Sequence, residues 1–154
     1  MSHIEPWQLN FESYPFSVQI ETRFQDVDIL GHINNVAMAS LFESGRVRFS
    51  SKYDNVWMEA DRRALIAAIT INYVAESYYP QPMLLCCGIA KIGNTSWQVA
   101  QAAFQYRREE HAAGELPVCV AAGAATLVLT DGNGSLTLPD SLIDALQARR
   151  VKNQ

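Results

Sequence analysis

Long apolar runs are missing from this chain. The longest weakly polar stretch, residues 117–129, falls short of the ~20 residues that a membrane-spanning helix needs, so no membrane span is expected. Clusters of lysine and arginine are missing as well. Twelve basic residues stand against 16 acidic ones, a net charge of −4, and no basic stripe marks a nucleic-acid surface. That balance leaves room only for a small basic patch facing one ligand phosphate. Cysteine is scarce: Cys86, Cys87 and Cys119 are an odd set without C-x-x-C spacing, which argues against a disulfide framework or a zinc site. Cys86 and Cys87 are neighbours and in a strand would face opposite sides, so all three read as reduced thiols in or near a core. The opening MSHIEPWQLNFESYPF has neither a basic start nor an apolar centre, so no secretory signal is expected and a cytoplasmic location follows.

What is present suffices for one core. The chain of 154 residues is 49% hydrophobic and 18% charged. A single domain over 1–154 is expected, with its core over 16–130 and a tail or short helix over 136–154. Phe16, Val18, Ile20, Thr22 and Phe24 alternate with polar residues, the period of a strand with one wet face. Residues 25–33 break that period with two aspartates and a glycine and read as a loop. A helix is predicted from Asn34 or Asn35, since asparagine is a good N-cap. Its apolar face is Met38, Leu41, Phe42, Gly45 and Phe49, with Glu43, Arg46 and Ser50 on a wetter side. Gly45 costs a helix interior roughly 1 kcal/mol against alanine, which suggests close approach of another backbone.

Residues 53–63 read as a loop or short helical turn. Strands are predicted over 65–73, 84–92, 96–107 and Val118–Thr130, with turns at Gly93-Asn94-Thr95 and at Asp131-Gly132-Asn133-Gly134. A bulge or bend is expected at Gly123 in the last strand, and a short amphipathic helix is expected within residues 139–150. One long helix followed by strands joined mainly by turns implies α+β architecture with a mainly antiparallel sheet.

The stretch TRFQDVDILGHINNVAMASLFESGR, residues 22–46, carries the chemistry. Asp28 stands just ahead of a helix N-terminus, where unpaired N–H groups and the helix dipole favour negative charge. It can act as a general base on water or as a nucleophile, or it can simply cap the helix. The N–H groups near Asn34 and Asn35 can hold an oxyanion, worth up to ~3–4 kcal/mol for one well-placed donor. His32 can orient substrate, bond Asp28 or pack at the helix start. Asp26 reads as a turn-forming or salt-bridged residue. Gly31 provides a turn or close ligand approach, and Asn34 is a cap or a substrate contact. Glu43 and Arg46 can pair at i and i+3, or Glu43 can approach a partner's site. Tyr73, Tyr78, Tyr79 and Trp97 belong to core, interface or the lining of a ligand channel. Lys91, Arg107 and Arg108 are solvated strand ends or contacts to phosphate.

The order of strand, D-x-D-x-x-G-H-x-N-N, long helix and four strands resembles the hotdog-fold thioesterases of the 4-hydroxybenzoyl-CoA thioesterase type. The resemblance spans residues 18–129. It is carried by Asp26-Val27-Asp28-Ile29-Leu30-Gly31-His32-Ile33-Asn34-Asn35, by Leu41-Phe42-Glu43-Ser44-Gly45-Arg46 and by Ile92-Gly93-Asn94-Thr95-Ser96. It implies a central helix wrapped by a curved antiparallel sheet of about five strands, and a homodimer or homotetramer with sites at the subunit boundary. The implied reaction is hydrolysis of an acyl-CoA thioester, less often an acyl carrier protein thioester. No metal or separate cofactor is implied, coenzyme A entering as part of the substrate. By the resemblance Asp28 matches the catalytic carboxylate, and Asn35 supplies a backbone N–H to the thioester oxygen. Met38 stands where many members carry tyrosine, which would reshape the acyl pocket. Two rivals share the fold: an acyl-thioester hydratase or dehydratase, and a non-catalytic acyl-thioester-binding protein.

Overall fold

The computed structural model describes residues 4–53, 59, 61–108 and 110–152. Strand β1 (Phe16–Ile20) precedes the long helix α1 (Asn35–Lys52). Four strands follow: β2 (Arg63–Tyr73), β3 (Met83–Ile92), β4 (Ser96–Gln105) and β5 (Val118–Thr130), then helix α2 (Asp140–Gln147). They form one sheet in the order β1-β3-β4-β5-β2, with every neighbouring pair antiparallel. The expected α+β architecture is therefore present, and a long helix against a curved five-stranded antiparallel sheet is consistent with a hotdog fold. The loop expected over 53–63 lies largely outside the described residues.

The first strand is shorter than its alternation suggests. Phe24–Asp26 coils into a 3-10 turn because the Arg23 N–H donates to the Asp26 carboxylate at 2.9 Å. Phe24 is thereby turned outward, and its ring meets Tyr79 edge-on.

Asn34 caps α1 as expected, its Oδ1 accepting the Ala37 N–H at 2.8 Å. The buried positions come as neighbouring pairs every four residues: 37/38, 41/42, 45/46 and 49/50. That arc is wider than an ordinary amphipathic stripe, as a curved sheet clasping a helix requires. It corrects the sequence reading of Arg46 and Ser50, which are buried rather than wet. Arg46 does not pair with Glu43 as expected; its Nη1 donates to Gln101 Oε1 at 3.0 Å. Burial pulls the Arg46 guanidinium below its ordinary value. Gln101 Nε2 in turn donates to the Phe42 carbonyl oxygen at 2.7 Å, pinning the helix to β4. A Cβ on Gly45 would lie 2.8 Å from Leu85 Cβ, so glycine permits the close approach inferred from its cost.

Gly123 is not a bulge. Register irregularities fall instead between Ile66 and Ala68, between Ile89 and Lys91, and between Ala103 and Phe104. A Cβ at Gly123 would stand 1.8 Å from the Thr70 carbonyl oxygen, so glycine is what lets β2 and β5 pair there.

The sheet buries both faces over much of its area. Cys87 and Ile89 point toward α1 and join Phe49, Trp97 and the α2 residues Leu142 and Leu146. Cys86 points the other way, with Phe104, Ala100 and Ala102. This far face is closed by residues 4–14, whose Trp7 and Phe11 pack on it, a role that the sequence did not announce. All three cysteines are free and buried, and burial pushes Cys87 and Cys119 up to about 12. Strands β1 and β2 are the two edges of the sheet. Among the described residues β2 pairs only with β5, and its Leu65, Ile66, Ile69 (51% exposed) and Tyr73 (55%) face solvent. Among the described residues no helix is long and apolar enough to cross a membrane.

Candidate active site

The loop between β1 and α1 is a tight hairpin. The Asp28 N–H donates to the His32 carbonyl oxygen at 2.9 Å, and the Gly31 N–H donates to the Asp28 carbonyl oxygen at 3.1 Å. Gly31 closes the turn in the left-handed region, at φ +84°, where glycine has no steric cost. The aspartate side chain reinforces its own turn: Asp28 Oδ1 accepts the Leu30 N–H at 2.8 Å and the His32 N–H at 3.2 Å. Asp28 therefore does not cap α1, the alternative role open to it from sequence. Its second oxygen, Oδ2, has no partner among the described residues.

Asp26, two positions earlier, is a framework residue. It is 3% exposed and is held in the fork of Arg23, with Arg23 Nη2 at 2.8 Å from Asp26 Oδ1. Burial alone would push its carboxyl up. The side-chain hydrogen bonds, the backbone N–H and the charge of Arg23 together outweigh that and hold it below the ordinary carboxylate value. Its carbonyl oxygen accepts both the N–H and the Nδ2 of Asn34, at 2.8 Å each, so Asp26 fixes where the helix starts. A depressed folded-state value gives stability that is present above the unfolded pKa of about 3.9 and is lost as pH falls through the folded value. Asp26→Asn should cost about 1–2 kcal/mol at pH 7, reduced from a fully buried pair because Arg23 is exposed. Urea unfolding from pH 7 down to pH 3.5 checks this. The deficit should narrow below about pH 4; a deficit constant across the series, or none at pH 7, would overturn it.

The hairpin is tied to the segment that leaves β2. The Ile33 N–H donates to the Ser77 carbonyl oxygen at 2.9 Å, and His32 bridges Tyr78. Between them opens a cleft of about 430 Å³. Asp28, His32 and Asn35 line one side, and Tyr73, Glu76 and Ser77 line the other. The Asn35 N–H, the first of α1, has no hydrogen-bond partner among the described residues, as expected of a helix start. Its carbonyl oxygen accepts a long hydrogen bond from the Tyr73 hydroxyl at 3.4 Å. A carboxylate and a free helix N–H thus share one cleft.

Three of the expected substrate contacts are not among the residues lining the cleft. Met38 is 1% exposed and packs in the core with Ile33, Leu41 and Leu85, because the first helical turn is already inside the sheet. Asn34 spends its side chain on Ala37 and Asp26. Gly31 shapes the turn.

Glu76 lines the cleft and is a residue that the sequence alone did not single out. His32 Nε2 lies 3.7 Å from Glu76 Oε2, and the Tyr78 hydroxyl donates to the same oxygen at 2.6 Å. That hydrogen bond holds the Tyr78 phenol above its ordinary value. The Tyr78 ring stands edge-on to His32, with centroids 5.3 Å apart. Arg107 Nη1 donates to the Glu76 carbonyl oxygen at 2.6 Å. The available signal was a lone carboxylate between two strands, in YVAESYYPQP at 73–82.

A family model described as the thioesterase-like superfamily matches residues 22–146. No curated protein matches. Several solved structures share the fold. A protein of Pseudomonas aeruginosa is 25% identical, with 93% of this chain and 96% of that one covered and a TM-score of 0.76. A predicted thioesterase of Bacillus stearothermophilus is 26% identical over 90% and 98%, with a TM-score of 0.74. A thioesterase of Thermus thermophilus, solved with coenzyme A and zinc, is 22% identical over 90% and 96%, with a TM-score of 0.72. The match of most of its length, running from before the hairpin into α2, means that this chain belongs to the thioesterase-like superfamily.

Proposed function

We propose that the protein hydrolyses acyl-CoA thioesters to the free acid and coenzyme A, in the manner of the 4-hydroxybenzoyl-CoA thioesterase type. The observation that carries this reading is the presence, in one cleft, of an anchored carboxylate and an unpartnered helix N–H. The thioester oxygen takes the Asn35 N–H, which sits at the positive end of the α1 dipole. Asp28 is held through Oδ1 and keeps Oδ2 for the reaction. That oxygen either takes a proton from the attacking water or attacks the carbonyl carbon itself to form an anhydride that water then cleaves. In both routes the C–S bond breaks and its electron pair leaves on sulfur. A thiol has a reference pKa near ~8.5, so the thiolate departs without a strong general acid. His32, oriented by Glu76 and Tyr78, flanks the carbonyl and fixes the cleft's polar side.

The coenzyme A complex of the Thermus relative supports coenzyme A as the carrier. The open β2 edge supports a homodimer formed edge to edge, which would set the partner beside Tyr73 and the cleft. A thiol-release assay across short, medium, long and aromatic acyl-CoAs tests the function. Turnover of at least one class well above buffer hydrolysis is expected. No release from any member, from protein that is folded and homogeneous, would overturn the reading.

A further inference from the structure

A second cavity, of about 410 Å³, is lined in part by residues 80–82, the continuation of the segment 73–77 that lines the cleft. Its polar lining includes Glu21 at the end of β1, Gln81, and Arg108 and His111 beyond β4; Leu84 and the two prolines at 80 and 82 give it an apolar floor. Tyr106 and His111 stack there, with centroids 3.6 Å apart and planes at 11°.

The segment that links the two cavities is pinned by hydrogen bonds. Buried Gln105 grips it from both sides: Oε1 accepts the Tyr78 N–H at 2.8 Å, and Nε2 donates to the carbonyl oxygens of Tyr78 and Gln81 at 2.7 and 2.9 Å. Thr22 Oγ1 adds a bond to the Gln81 carbonyl at 3.1 Å. Glu76 lines the first cavity and Pro80 the second, four residues on, so at most about 14 Å of chain separates them. Consecutive arginines divide between them: Arg107 bonds the Glu76 carbonyl, and Arg108 lines the second cavity.

The lining fits a ligand with a flat heterocycle and a phosphate. A flat ring can extend the Tyr106–His111 stack and rest on the proline floor. Arg108 supplies the fork that phosphate prefers. Gln81 Oε1 is buried with no hydrogen-bond partner among the described residues, an acceptor that a ring amine would satisfy after a small rotation. The Glu21 carboxylate is tied back by Gln19 Nε2 at 3.0 Å. It makes the cavity a poor home for a purely anionic ligand and a better one for a base with its phosphate at one end.

We propose that this second cavity binds the nucleotide end of the thioester, with the flexible arm crossing the Gln105-pinned segment to bring the acyl sulfur to Asp28. The proposal rests on the acyl-CoA reading above and adds a carrier preference to it: a carrier-protein thioester has no nucleotide to place here. Two measurements test it. The first compares kcat/KM for one acyl group carried on coenzyme A and on bare pantetheine. The wild type should favour coenzyme A by about tenfold or more, through KM. In Arg108→Ala the KM for acyl-CoA should rise toward that for the pantetheine thioester, and His111→Ala should act in the same direction. The second is binding of adenosine 3′,5′-bisphosphate, followed by NMR. It should shift His111 in the wild type and not shift it in Arg108→Ala. Equal turnover of both carriers by the wild type, or a preference that survives Arg108→Ala, overturns the proposal. If no thioester is hydrolysed, the hydrolytic reading fails by itself. The bisphosphate titration then decides the cavity: saturable binding lost in Arg108→Ala upholds it, and no binding at millimolar concentration ends it.

Discussion

Asp28→Asn should abolish thiol release, lowering kcat by about 10²–10⁴ while the fold and assembly persist. The asparagine is the clean variant because its side-chain oxygen can still accept the Leu30 and His32 N–H groups that Asp28 Oδ1 accepts. The hairpin therefore stays closed, and only the negative charge and the reactive oxygen are lost. Asp28→Ala removes the hairpin bonds as well and should additionally cost about 1 kcal/mol of stability. Steady-state thiol release, with circular dichroism and thermal melting as controls, separates the two effects. Near wild-type turnover in the asparagine variant would refute Asp28 as the reacting group and move attention to Glu76, the other carboxylate of the cleft.

Breaking the β2 edge should be almost as damaging. Ile69 is half exposed on that edge, so Ile69→Lys costs the isolated chain little. Across an edge-to-edge dimer it sets an ammonium against its symmetry mate at the seam. Light scattering at micromolar protein should give a dimer or larger for the wild type and half that mass for the variant. Thiol release should fall by at least about tenfold with it, since Tyr73, at the end of β2, lines the cleft. A monomeric wild type, or a monomeric variant with full activity, would remove the subunit boundary from the site.

The sheet and the helix were legible because their signals are local and periodic. The Val118–Thr130 strand was read to the residue, and the Asn34 cap was where asparagine chemistry puts it. What failed was what depends on the partner surface. Arg46 and Ser50 look like a wet face until a curved sheet closes over more of the helix than one stripe. Thr22 and Phe24 continue the strand alternation, but the Arg23–Asp26 clamp ends it locally. At the site, Asp28, His32 and Asn35 could be found together because eight consecutive residues of chain carry them all. Glu76 comes from the far side of a strand pairing, and no spacing in the sequence links it to His32. Met38 shows the converse: nearness in sequence to the motif did not bring its side chain to the cleft.

The staple from Gln101 to the Phe42 carbonyl has a consequence well outside the core. Phe42 lies seven residues, about two turns, down the rod that begins at Asn35, and each residue of axial slip would displace that rod by about 1.5 Å. Notched over Leu85 at Gly45 and fastened at Phe42, the helix cannot slide. The donor at its mouth thus inherits its aim from the protein's driest interior, so tuning of the reactive geometry can be expected from substitutions that never see substrate.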